Sequence, residues 1–204
     1  MSRYFDLLFT PAVKAAQEAD GSRAAYARME GSEGPDPLRP EEMKFIAARD
    51  SFYMATVTET GWPYLQHRGG PKGFVRFPDT RTLAFPDYRG NRQLISLGNA
   101  SCDDRVSLFF MDYPNRTRLK LLGHMRAVSL KNEPELGKMF AEPEYGARIE
   151  RVFLVAVEGY SWNCPQHITP RFTPEELDPS IALLQTRIAE LEHALKECRK
   201  DHKE

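Results

Sequence analysis

Residues 51–68, SFYMATVTETGWPYLQHR, decide how this chain folds. The stretch alternates and is rich in β-branched and aromatic residues on both sides of Glu59-Thr60-Gly61, the pattern of a hairpin whose second strand delivers Gln66, His67 and Arg68. Working outward, GFVRF (73–77) and RTLAF (81–85) make a second, short hairpin around Pro78-Asp79. DRVSLFFMDY (104–113) and TRLKLLGHMRAVSL (117–130) read as two further strands joined at Pro114-Asn115, and RVFLVAVEGYSWN (151–163) is another β run. Some six strands without helical crossovers predict a largely antiparallel sheet closed into a barrel-like body, a mainly β fold with peripheral α-helices.

Helices belong to the ends. Residues 11–30 follow a Thr10-Pro11 start signal and predict an outer helix weakened near Gly21; residues 31–40 are a Gly/Pro-rich connector. Pro40-Glu41-Glu42 opens a short helix carrying Met43, Phe45, Ile46 and Ala47, where the globular domain begins; Pro134–Phe140 is another short helix. The two prolines of CPQHITPRF (164–172) keep that segment extended or irregular. Beyond Pro174, Ile181, Leu184, Ile188, Leu191, Leu195 and Cys198 recur at spacings of 3, 4, 3, 4 and 3, an a/d seam that serves either a coiled coil or packing onto the barrel. The organisation predicted is an N-terminal helical extension and linker (1–40), a barrel domain (41–172) and a C-terminal amphipathic helix (173–204).

The chain has 28 basic and 29 acidic residues among 204, which argues against a general nucleic-acid or membrane-surface binder. The run Val152–Val157 is far too short to span a bilayer and residues 1–13 lack a signal peptide's apolar stretch, so the cytoplasm is expected. Cys102, Cys164 and Cys198 have no CxxC spacing and the histidines no ligand spacing, so neither a disulfide framework nor a metal site is expected. Charge is concentrated locally: between His67 and Arg92 six Lys/Arg face two acids. Gly69, Gly70 and Gly90 allow close backbone approach, and NRQLISLGN (91–99) has the apolar spacing of a helix whose start would aim free N–H groups at an anion. The stretch 66–99 therefore reads either as a pocket for an anionic, planar ligand or as an Arg-rich solvated hairpin.

Taken together, QHRGGPKGF, the segment GNRQLISLGN after FPDYR, the strand pair 106–128 and WNCPQHITPRF resemble the pyridoxamine 5′-phosphate oxidase-like family of FMN-binding split-barrel flavoproteins, over residues 41–172. The resemblance implies an antiparallel Greek-key split barrel, forming a homodimer with two FMN sites at the subunit interface. It places Gln66, His67, Arg68 and Gly69 beside the flavin ring and phosphate tail, and Arg89, Asn91, Arg92 and Asn99 on the segment closing over the phosphate. Trp162, Gln166 and Arg171 match the late segment that reaches the flavin from the other subunit. The family's late R-x-H pair is missing from CPQHITPRF, which argues against vitamin B6 oxidation. The activity implied is an FMN-dependent oxidoreductase acting on a small molecule, with NAD(P)H as a candidate electron donor and no catalytic residue assigned. A non-catalytic flavin-binding or sensing protein, or a barrel holding haem or a deazaflavin, are the alternatives.

Overall fold

A computed structural model describes residues 1–140 and 145–201, with the side chains at 194 and 196–201 outside the description; the seam position Cys198 is among these. In chain order the elements are α1 (Arg3–Leu8), α2 (Pro11–Asp20), α3 (Arg23–Ala27), α4 (Pro40–Ala47), β1 (Ser51–Val57), β2 (Pro63–Gly69), β3 (Arg76–Asp79), β4 (Thr82–Tyr88), α5 (Ile95–Cys102), β5 (Arg105–Asp112), β6 (Thr117–Val128), α6 (Pro134–Lys138), β7 (Ile149–Asn163) and α7 (Pro174–Asp201). The chain divides into two compact units, one of residues 1–112 and 117–166, the other of 113–116 and the chain from 167 onward.

In the first unit seven strands, one for each β run read from the sequence, form a single sheet in the order β2-β1-β5-β6-β7-β4-β3, and each neighbouring pair is antiparallel. β1 and β4 stand four places apart in that order, which in a flat sheet would separate them by about 19 Å. Yet the Phe52 and Phe85 rings meet edge to face with centroids 5.1 Å apart. The sheet must therefore curl until its inner face closes on itself, leaving β2 and β3 as unpaired edges: a split barrel. Alternating side chains fill the interior, with Phe52, Met54, Leu108, Phe110, Leu119, Leu121, Phe153 and Val155 all buried. On the outer side of β4 and β7, a smaller cluster of Ala84, Val128, Val152 and Leu154 buries Phe140, with Leu130, Leu136 and Ile149 against it. β4 and the centre of β7 are consequently apolar on both faces, which explains their unbroken hydrophobic runs.

Two glycines mark close backbone contacts. A Cβ on Gly123, at the irregularity where β6 faces β7, would lie 2.4 Å from the Ala156 carbonyl oxygen. One on Gly159 would lie 2.3 Å from the Tyr4 nitrogen, so α1 sits directly on β7. Helix α1, unforeseen from the sequence, is fastened there by Ser2, whose hydroxyl donates to Asp36 (2.6 Å) and whose position caps the helix. The expected outer helix is divided into α2 and α3 at Gly21, whose φ of 77° ends α2 in the left-handed region. The linker is not a loose tether: Leu38 is buried and its N–H donates to the Thr80 carbonyl.

The second hairpin turns two residues later than expected, at Thr80-Arg81, because Asp79 Oδ1 accepts the Arg81 N–H and Phe74 and Val75 are buried in the preceding loop instead of extending β3. Pro78 and Pro86 are tolerated because β3 is an edge strand and β4 has no β3 partner at Pro86. Helix α5 carries residues of the predicted helical segment across from β4 to β5 and so forms one wall beside the β2 edge.

Candidate functional site

A pocket opens between the β2 edge, the end of β4 and the loop that leads into α5. Its cavity is about 60 Å³, or about 460 Å³ with the open space at its mouth, and Tyr64, Gln66, Arg68, Asn91, Arg92 and Phe153 are among its lining residues. The alternation of β2 selects them: Tyr64, Gln66 and Arg68 turn one way, Leu65 and His67 the other. A second, more open depression of about 170 Å³ shares Gln66, Arg68 and Tyr88 and continues past His67, Gly69 and Phe74.

Arg68 is the centre of the pocket's chemistry. Its Nη1 donates to Asp87 Oδ1 at 2.6 Å, its guanidinium lies over the Phe153 ring at 5.3 Å, and its Nε is buried without a hydrogen-bond partner. Asp87, itself buried, also accepts from Arg151 Nη1 through its other oxygen. One carboxylate thus neutralises one of two guanidinium charges and fixes both planes, while a donor of Arg68 remains unspent. An unpaired buried donor on a charged group is costly, and a group with several acceptor oxygens removes that cost. Glu150 lies 3.9 Å from Arg89 and 3.5 Å from Arg151. Arg68, Arg89, Arg92 and Arg151 against Asp87 and Glu150 leave the vicinity net positive.

The loop supplies the rest. Arg92 and Leu94 have φ of 60° and 58°, a left-handed backbone that non-glycine residues adopt at a cost, so the loop is held in a sparsely populated shape just where it borders the pocket. Asn91 Oδ1 accepts the Gln93 N–H at 3.1 Å, bracing the turn, and α5 begins at Ile95 with its first residues on the pocket wall. Ser96, buried on α5, donates to Gln66 Oε1 at 2.9 Å and fixes the amide of β2 from the opposite side.

The residues expected here from the sequence divide into groups. Gln66, Arg68, Asn91 and Arg92 line the main pocket, and His67 and Gly69 line the adjoining depression, with the His67 ring against Tyr53 at 5.7 Å. Arg89 is exposed and directed to Glu150. Asn99 is buried and its amide donates to Thr56 Oγ1 at 2.8 Å, pinning α5 to β1. Trp162 donates its indole N–H to the buried Glu42 at 2.7 Å and packs on Phe45, so within one chain it fastens α4 to β7. Gln166 is exposed; in the second unit Arg171 lies over the Tyr113 ring at 4.9 Å. Missing from the expectation were Tyr64, Asp87, Tyr88, Ser96, Phe153 and, above all, Arg151. The signal for Arg151 lies in strand register, since Asp87 and Arg151 are directly opposed across β4 and β7.

The donor set suits a phosphate-bearing ligand with a planar aromatic part: guanidiniums and loop amides at one end, with Gln66, Tyr64, Tyr88 and Phe153 nearby as polar edge and aromatic wall. Among the described residues no cluster of His, Cys, Asp and Glu could hold a metal ion, and no helix is long and apolar enough to cross a membrane.

Comparison with known proteins bears on the same region. The family model described as pyridoxamine 5′-phosphate oxidase matches residues 38–169. Among solved structures, HupZ from Group A Streptococcus is 18% identical, with 66% of this chain and 100% of that chain covered and a TM-score of 0.50. A putative pyridoxamine 5′-phosphate oxidase from Lactobacillus delbrueckii is 18% identical over 61% of this chain and 93% of its own, with a TM-score of 0.48. An FMN-binding protein from Syntrophomonas wolfei is 7% identical over 72% of this chain and 97% of its own, with a TM-score of 0.46. At 18% identity the likeness to HupZ is one of fold alone. No curated protein sequence matches the chain.

Proposed function

Because the chain belongs to the pyridoxamine 5′-phosphate oxidase family, we propose that it is a cytoplasmic FMN-binding flavoprotein, an FMN-dependent oxidoreductase acting on a small molecule. The observation that carries the reading is Arg68, held in place by Asp87 and an aromatic ring, with a buried donor left unpartnered in the wall of the pocket. In this reading Arg68 and Arg92 hold the phosphate with Asn91 assisting, Gln66 meets the polar edge of the ring system, and Arg151 acts through Asp87 to orient Arg68. His67 and Gly69 border the ring from the adjoining depression. FMN, when bound, supplies hydride and electron transfer with a donor such as NAD(P)H, while the chain contributes binding, orientation and exclusion of water.

Two copies form the working unit. The face of β1 and β2 turned away from the core carries Tyr53 and Leu65, 36% and 66% exposed, an apolar surface on an edge hairpin that a second copy would cover.

The test is equilibrium titration of the purified protein with FMN and with riboflavin, followed by flavin fluorescence, together with its visible spectrum and NAD(P)H consumption. FMN binds more tightly than riboflavin, and Arg92→Ala weakens FMN alone by about one to two decades, the value of one charge-assisted contact. Equal affinity for the two flavins, or full FMN affinity in both Arg68→Lys and Arg92→Ala, would refute the phosphate assignment. Bound flavin that no electron donor reduces would make the protein a flavin binder, and a haem or deazaflavin spectrum would replace the cofactor.

A further inference from the structure

We propose that α7 pairs in parallel with α7 of a second copy of this chain, through the seam Ile181, Leu184, Ile188, Leu191 and Leu195. These five side chains are 44%, 63%, 55%, 53% and 52% exposed in the single chain, and their spacing sets them on one stripe of the helix. Helical amphipathicity alone does not name an occupant, but the residue types do. β-Branched isoleucine at both early a positions with leucine at d is the combination that packs as two parallel strands. Pro179 lies before the seam begins, so the run from Ile181 has an uninterrupted hydrogen-bond ladder to its own first turn.

Charge points to the same occupant. In a parallel pair Arg187 falls at g and Glu192 five residues later at e, so opposite charges face each other on both flanks of the seam. Within one chain Arg187 bonds Glu190 at 2.8 Å, but both side chains are well exposed, and exchanging one solvated carboxylate for another costs little. Leu183, at a c position off the seam and 72% exposed, gives an internal control. The seam lies wholly beyond residues 38–169, so the pairing is an addition to what the family match covers. Three heptads are too short to hold together unaided, so the pair rests on the homodimer proposed above, which raises the effective concentration of one α7 for the other.

The experiment uses the full chain with Cys102→Ser, Cys164→Ser and Cys198→Ser, carrying in turn Leu184→Cys, Leu191→Cys, Ile188→Cys and Leu183→Cys, exposed to a mild oxidant and resolved on a non-reducing gel. In a parallel, in-register pair Leu184→Cys and Leu191→Cys both form interchain disulfides, roughly tenfold faster than Leu183→Cys. Equal rates at all positions, or cross-linking at only one seam position, as an antiparallel pair centred there would give, would overturn the proposal. Separately, Arg187→Glu raises the concentration at which the dimer dissociates by about threefold to tenfold, and adding Glu192→Arg restores it. A dimer by sedimentation that never cross-links at 184 or 191 sinks the seam alone. A chain that stays monomeric at every concentration sinks the homodimer as well.

Discussion

Replacing Asp87 with asparagine removes the one carboxylate that both Arg68 and Arg151 contact, and its cost can be worked from the site. Asp87 accepts from Arg68 at 2.6 Å through one oxygen and from Arg151 through the other, and the side chains of the two arginines are only 14% and 19% exposed. Asparagine offers a single oxygen, so one charge-assisted hydrogen bond worth about 1.5–3 kcal/mol is lost and the other becomes neutral. Arg68 is also left beside Arg151 without its own anion, although Glu150 stays 3.5 Å from Arg151 and the residual exposure of both arginines keeps this below the 3–5 kcal/mol or so of a fully buried broken pair. A total near 3 kcal/mol, at about 2–4 °C per kcal/mol for a chain of this size, lowers Tm by about 6–12 °C. Circular dichroism melts of the wild type and Asp87→Asn, with and without inorganic phosphate, measure it. Phosphate should raise the variant's Tm more than the wild type's, because an anion between the arginines replaces the missing charge and ligand bound to the native state stabilises it by mass action. A variant melting within about 2 °C of the wild type, or one that phosphate stabilises no better, would refute the account of this cluster.

Other expectations concern the scaffold. Gly123→Ala places a methyl 2.4 Å from the Ala156 carbonyl oxygen and 2.7 Å from Val155 Cγ1, and since backbone cannot swing away, urea unfolding should show a loss of about 3 kcal/mol. Trp162→Phe keeps the packing on Phe45 but leaves Glu42 Oε1 without its indole donor in a nearly closed setting, costing about 2 kcal/mol; a double-mutant cycle with Glu42→Gln should show coupling between them. Burial, then the neighbouring Glu42 carboxylate, pushes the Tyr160 hydroxyl up to about 12, and burial raises Tyr4 as well, so near-ultraviolet titration should show Tyr160 and Tyr4 ionising later than the ordinary tyrosines. Because the folded value is raised, the contribution of Tyr160 to stability is fully present below the ordinary tyrosine range near pH 10 and fades as pH rises through about 12, a limb that Tyr160→Phe should weaken while the Tyr4 part remains.

By itself the sequence determined the type and order of most elements, because local signals carry them. Alternation wrote β1, β2 and β5, Glu59-Thr60-Gly61 wrote the first turn, and Gly21 wrote the break between α2 and α3, each by a backbone preference that acts within a few residues. It also marked Gln66, Arg68, Asn91 and Arg92 as one neighbourhood, since glycine and basic residues crowd a short stretch around the pocket they line. Helix α1 escaped notice because its single turn and a half is stabilised by packing on Gly159 and by Ser2 reaching Asp36, contacts its own sequence cannot announce. The second hairpin was misplaced because Phe74 and Val75, strand-like in type, are drawn into the core of the curled sheet. Only the tertiary structure decided that Arg151 joins Arg68 on Asp87, for that meeting depends on the register of β4 against β7, which residues 64 positions apart in the chain cannot encode locally. It likewise gave Asn99 and Trp162 to Thr56 and Glu42, because a buried amide or indole N–H must find whatever acceptor the fold brings within reach, and the fold alone chooses it.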